Sequence, residues 1–306
     1  MPYDSKNETA KRERIGLCLV VVAAFGFGIS PSYAKLAYEG GAEPLTLVAA
    51  RFTICVLIMS IIAKVRQTSI RVSGKLLYLP VIMGLLLAWN ATGYLSAVKE
   101  IKVSLAAALF YTFPLQVAVF SWMMGFELLS IRRIAALSLG FVGVLFVISL
   151  GLSEMNIYGI VLALGAGCGV ALTSVLFSRA ADINNSVALM LWSMVVACLF
   201  SWLVTFLLGD FALPHTRGGW NGFLVSMLGF SLSVIAYYLA LPMIGAIRAA
   251  IVANLEPIIA VLMAMLILQE RLGVLQITGI VLIVTAVYMG SRKPTQGPGQ
   301  SGVQGS

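Results

Sequence analysis

The stretch Ala249-Ala250-Ile251-Val252-Ala253-Asn254-Leu255-Glu256-Pro257 has a counterpart 143 residues earlier, Ala106-Ala107-Ala108-Leu109-Phe110-Tyr111-Thr112-Phe113-Pro114. Each lies in a long apolar run with a proline near its middle. The same offset pairs Gly16 with Gly159, Gly26 with Gly169, Cys55 with Cys198, Tyr94 with Tyr237, Ala97 with Ala240 and Glu127 with Glu270. Leu and Ala matches carry little weight in so apolar a chain. Gly, Tyr, Pro and Glu are scarcer, and they hold one register across most of the length. The chain therefore reads as two halves of common origin.

The composition says where those halves reside. Of 306 residues, 60% are hydrophobic and 10% charged, against roughly 25% charged in an ordinary soluble domain. Mean hydropathy is +1.00. One water-soluble core of this size cannot hide so much apolar surface, so lipid is the expected surrounding. Ten apolar segments stand at about 15–37, 44–64, 76–98, 101–123, 131–150, 157–179, 186–208, 219–240, 245–268 and 272–290. Each is about as long as a helix crossing a bilayer, and helices satisfy their own backbone polar groups there. Alternation of the β-barrel kind is absent. The expected fold class is an all-α membrane protein, with ten transmembrane helices as two inverted five-helix repeats around a central cavity. Inversion follows because five is odd: the second half must enter the membrane from the opposite side. The expected organisation is a basic cytoplasmic tail at 1–14, a first repeat at 15–150, a second at 151–291 and a flexible, Gly-, Gln- and Ser-rich cytoplasmic tail at 292–306.

Net charge is +8. In this setting the charge reads as Lys and Arg flanking the cytoplasmic ends of spans rather than as a nucleic-acid surface. With the N-terminus inside, fourteen Lys and Arg fall on the cytoplasmic side and five outside, while Arg51 lies within a span. Both termini are therefore expected in the cytoplasm. The first apolar run is too long for a cleavable signal. Cys18, Cys55, Cys168 and Cys198 all sit in apolar runs without metal-ligand spacing, and the single histidine, His215, lies in a polar loop. No metal and no cofactor are expected.

The residues that carry the repeat also carry a resemblance. Ala246-Ile247-Arg248-Ala249-Ala250, Leu255-Glu256-Pro257, Gln269-Glu270-Arg271, Gln276 and Gly279 resemble the second repeat of the EamA family, part of the drug/metabolite transporter superfamily. Ala50-Arg51-Phe52, Tyr94-Leu95-Ser96-Ala97, Pro114 and Glu127 resemble the first repeat more loosely. Within the superfamily the chain is most similar to YddG-type amino-acid exporters. The resemblance implies export of amino acids, aromatic ones among them, across the bacterial inner membrane. Where that pattern has a Glu-Pro pair in the second half, the first half has Phe113-Pro114, so any role of the acid is asymmetric.

Several residues inside the spans are candidates for the transport path. Pro114 and Pro257 each remove one helix hydrogen bond and bend the chain. They are either hinges of two opposite gates or static kinks. Asn90 and Tyr94 share one helix face, as do Ser233 and Tyr237 at the repeat offset. Trp89 adjoins Asn90. Tyr111 and Asn254 are equivalent, each three residues before a hinge proline. Together these give aromatic faces with a few hydrogen-bonding groups, suited to small amphipathic solutes, although each alone also reads as a packing residue. Gly165-x-x-x-Gly169 marks close helix packing. Arg51 and Glu256 are the clear ionisable residues well inside spans, where an unpaired charge is costly. They pair with each other, meet substrate charges or line water; Glu256 is either a titratable site or a structural acid beside the proline-freed backbone.

Other function classes lack their chemistry. There is no Walker A sequence for ATP hydrolysis, and the three aspartates lie in tails or loops, so no membrane aspartyl pair exists. A channel would want a repeated filter loop, which is missing. One central arginine is too few for a phosphorylated solute. A zwitterion with one carboxylate and one ammonium fits best. A lipophilic cation fits the aromatics and Glu256, so efflux of drugs or other small metabolites is the second expectation. The expected partners are the small solute and the lipid bilayer, with no nucleic acid.

Overall fold

The computed structural model describes residues 2–72, 74, 77–101, 103–126, 130–148, 156–183, 186–209, 211–268 and 273–291. Glu127, Gln269, Glu270, Arg271, Asp210 and the 292–306 tail lie outside the described residues. Within them the chain forms twelve helices and no strand: α1 (Pro2–Glu39), α2 (Pro44–Val65), α3 (Tyr78–Glu100), α4 (Val103–Phe110), α5 (Phe113–Met123), α6 (Ile131–Ile148), α7 (Ile157–Ile183), α8 (Ser186–Leu208), α9 (Arg217–Ile244), α10 (Ala246–Ala253), α11 (Leu255–Leu268) and α12 (Val274–Ser291). Five stretches are long and apolar enough to cross a membrane: Ala10–Glu39, α2, Ile157–Ala180, α8 and α9; α5 and Val274–Gly290 are shorter apolar helices. Each of the ten apolar segments read from the sequence falls on one helix or, for the fourth and ninth, on a broken pair.

The breaks come where proline dictates them. Pro114 has no N–H to give the Phe110 carbonyl, and its ring crowds the turn before it. The ladder tightens, with the Thr112 amide reaching back to Leu109 instead of continuing the α pattern, and α4 ends. Pro257 acts likewise: the Asn254 amide reaches Ile251, and α10 gives way to α11. The freed Phe110 carbonyl faces α7, where a Cβ added to Gly167 would lie 3.1 Å from it.

Packing repeats the sequence offset. α1 runs along α9, and their equivalents α7 and α3 run along each other. α11 packs on α1 as α5 packs on α7, while α2 with α8 and α6 with α12 map onto themselves. The close approaches match in detail. A Cβ at Gly16 would meet Ile244 Cγ2 at 2.7 Å and Met243 Cβ at 2.9 Å; a Cβ at Gly159 would meet Ile101 Cγ2 at 2.7 Å and Glu100 Cβ at 2.9 Å. Ile244 and Met243 stand 143 residues after Ile101 and Glu100. Gly26 and Gly169, also equivalent, lie against the Gly229 and Leu86 carbonyls of those same partner helices. Only a residue without a Cβ permits the helix axes to come so near.

The outer surface is apolar. Val22, Ile61, Leu207 and Ile157 are all more than half exposed. In water such a surface would drive aggregation; in lipid it needs no cover.

Candidate functional site

The two breaks bring polar groups to the middle of the bundle. The Tyr111 hydroxyl, on the turn between α4 and α5, donates to Glu256 Oε1 at 3.0 Å. Glu256 opens α11, so this bond joins the first half of the chain to the second. Phe110 stacks edge-on against Tyr111, 5.6 Å between ring centroids, and tilts against Tyr94 at 5.1 Å. Tyr94 and Tyr237 both lie close enough to Glu256 to interact with its charge. The Tyr237 hydroxyl is 3.3 Å from Ser174 Oγ on α7. Five aromatic and acidic side chains, Tyr94, Phe110, Tyr111, Tyr237 and Glu256, therefore form one group, four of them among the expected site residues.

The remaining candidates fall elsewhere. The Trp89 indole N–H donates to the Gly165 carbonyl at 3.1 Å across the α3–α7 contact, and the ring is 46% exposed. Asn90 packs against Gly169 on the same contact. The expected Gly165-x-x-x-Gly169 packing face is thus the surface that receives these two side chains. Asn254 is buried, with its amide nitrogen against Gly140 of α6. Pro114 and Pro257 stand at the breaks themselves.

Arg51 is not paired with Glu256. Its Nη2 donates to Ser30 Oγ on α1 at 2.9 Å and to Ser226 Oγ on α9 at 2.6 Å. Its guanidinium carbon lies 4.8 Å from the centre of the Phe230 ring. Two hydroxyls and an aromatic face thus hold the cation at the α1–α2–α9 contact. Ser30, Ser226 and Phe230 carried no signal in the sequence: small hydroxyl residues are common in spans, and their partner was visible only as a charge without a destination.

Buried acceptors without a hydrogen-bond partner, among the described residues, include Asn90 Oδ1, Gln116 Oε1 and Asn254 Oδ1. Gln116, whose amide nitrogen donates to Thr112 Oγ1 at 2.8 Å, is a polar residue at the first break that is not among the candidates expected from the sequence. A carboxamide two residues after a mid-span proline is itself a signal, since polar side chains in spans seldom face lipid. These oxygens lie on separate helix contacts, Asn90 at Gly169, Gln116 at Gly167 and Asn254 at Gly140.

A cavity of about 300 Å³ opens between the ends of α5, α7 and α9 and the start of α10, lined by Ser121, Phe126, Ser178, Arg179, Leu241 and Gly245 among others. It lies at the end of the bundle where α1 begins, because Gly16 abuts Ile244 there. Ser178 and Leu241 stand four residues beyond Ser174 and Tyr237, so one helical turn separates this cavity from the aromatic group. Nearby, Arg248 Nη1 is 3.9 Å from Glu13 Oε1, tying α10 to α1.

Comparison with known proteins gives three findings. The EamA-like transporter family profile matches twice, over residues 14–149 and 157–292. A protein of Bacillus subtilis (strain 168), "Uncharacterized transporter YvbV", is 23% identical over 286 residues, covering 90% of this chain and 91% of that protein. A solved structure at 18% identity covers 92% of this chain and 96% of its own with a TM-score of 0.75, which is a likeness of fold.

Proposed function

This chain belongs to the EamA-like transporter family, and from that premise we propose that it is a secondary transporter exporting amino acids, aromatic ones included, across the bacterial inner membrane by alternating access. Ten spans in two inverted five-helix repeats, with both termini in the cytoplasm, form the scaffold. The twofold family match, the exchange symmetry of the helix contacts and the matched glycine approaches support the repeat. The distribution of Lys and Arg supports the orientation.

The observation that carries the substrate reading is the Glu256 group. A carboxylate held by one tyrosine and framed by further aromatic rings is a receptor for a group that donates hydrogen bonds and carries positive charge. An ammonium meets that demand, and ring faces add cation–π attraction. Side chains of varied shape are accepted by the rings through contact rather than by specific hydrogen bonds, so selectivity is broad. Pro114 and Pro257 act as equivalent hinges. In the inverted arrangement, the segment after one is the inner half of its helix and the segment after the other is the outer half.

One observation favours a second reading. Arg51 is engaged by Ser30, Ser226 and Phe230, which leaves Glu256 to receive a lipophilic cation that lacks a carboxylate. Liposome uptake of labelled tryptophan, leucine, a lipophilic amine and a sugar phosphate separates the two. The amino-acid reading expects saturable uptake of the first two. Uptake of the amine alone supports drug efflux.

A further inference from the structure

The cavity at the α1-start end has a chemistry unlike that of the Glu256 group. Its charged wall residue is Arg179, which no carboxylate among the described residues pairs within 4 Å. The guanidinium lies over the Phe126 ring, 5.3 Å from its centre. Phe126 is placed there by a tight helix end: the Phe126 amide reaches back to the Ser121 carbonyl, the Gly125 amide reaches back to Trp122, and Gly125 takes φ +69°. This is the Schellman turn that glycine permits. Ser121 is 1% exposed and lines the cavity, and its hydroxyl bonds to none of the described residues. Ser178 adds a second hydroxyl, 3.5 Å from the Leu241 carbonyl. A cation fixed by an aromatic face, the Ser121 hydroxyl and a volume of about 300 Å³ make a receptor for one small anionic group. The volume is at the lower end of the roughly 300–1,000 Å³ of small-molecule sites.

We propose that this cavity is a carboxylate-capture subsite: Arg179 and Ser121 take the acid group of the solute at the cytoplasmic entrance, before its ammonium reaches Glu256. The proposal rests on the amino-acid reading above and deepens it. It supplies the cation that the central group lacks, at a separate point on the path. Arg179 is five residues beyond Ser174 on α7, about 7.5 Å along the helix axis, so the two charges of a zwitterion are desolvated in turn rather than together. Exposed as it is, Arg179 retains water contact, which suits a site that must release its ligand inward to the next.

The test compares tryptophan with tryptamine, which lacks only the carboxylate. Equilibrium binding of each to the purified full-length protein is measured for wild type, Arg179→Gln, Arg179→Lys and Ser121→Ala. Loss of one charge-assisted contact should raise the tryptophan Kd about tenfold in Arg179→Gln, with tryptamine within about twofold of wild type. Arg179→Lys should recover most of the loss, and Ser121→Ala should weaken tryptophan alone by about threefold. Equal shifts for both ligands, or wild-type tryptophan binding in Arg179→Gln, overturns the subsite while leaving amino-acid transport intact. A wild-type protein that binds tryptamine and not tryptophan overturns the amino-acid reading, and this inference with it.

Discussion

Tyr111 donates a 3.0 Å hydrogen bond to Glu256, and the two residues stand at the two places where a helix is interrupted by proline. They are not equivalents in the repeat: the counterpart of Glu256 is Phe113, and that of Tyr111 is Asn254. The bond is therefore an asymmetric feature laid over a symmetric scaffold. It ties the break in one half to the break in the other, so a movement at either break disturbs it.

Glu256→Gln keeps the shape and removes the charge that, in the proposed function, receives an ammonium. Transport of tryptophan into liposomes should fall at least tenfold, a loss of about 1.4 kcal/mol or more, while the purified protein stays monodisperse. Tyr111→Phe removes one hydrogen bond to a charged group and should cost about 1.5–3 kcal/mol at most. A Gln variant that transports at the wild-type rate with an unchanged pH profile makes Glu256 a structural acid.

Gly16 and Gly159 make matched approaches at opposite ends of the bundle. Alanine at either forces a methyl group into an isoleucine and should cost about 1–3 kcal/mol of stability by overpacking, read as a lower melting temperature. The wedge should also spread the helices at its own end. Cysteine-accessibility labelling of the cavity is expected to rise from the cytoplasmic side in Gly16→Ala and from the outer side in Gly159→Ala. The same side for both contradicts the inverted repeat.

Pro114→Ala and Pro257→Ala restore a helix donor at each break. If the breaks are hinges, the two variants should bias access toward opposite faces in the same labelling assay. Profiles identical to wild type leave only static kinks.

What the sequence made legible follows from which residues leave a mark by themselves. The helix breaks were readable because proline lacks a donor wherever it stands. Glu256 and Arg51 were readable because an ionisable group in a span always needs a reason. Their partners were not. Tyr111 reaches Glu256 across 145 positions of sequence, and the repeat offset pairs neither with the other. Ser30 and Ser226 become partners of Arg51 only because α1, α2 and α9 meet. Trp89 looked like part of an aromatic cavity, yet its indole N–H is spent on Gly165. Glycine spacing pointed to a close contact without saying which aromatic would fill it.

Orientation is open to direct labelling. In a background without Cys18, Cys55, Cys168 and Cys198, a cysteine at Gln67 should label only from the cytoplasm and one at Gly218 only from outside. Both positions are exposed, and nothing lies within 4 Å of a Cβ at Gly218. The reverse pattern inverts the topology.

Passage of an amino acid through a site open alternately to the two sides produces counterflow. Liposomes containing the purified protein are loaded with unlabelled tryptophan, diluted, and given a trace of labelled tryptophan outside. Label should accumulate transiently above its equilibrium level, and Glu256→Gln should abolish the overshoot. Monotonic equilibration without overshoot, at a rate that does not saturate with tryptophan, would contradict alternating access.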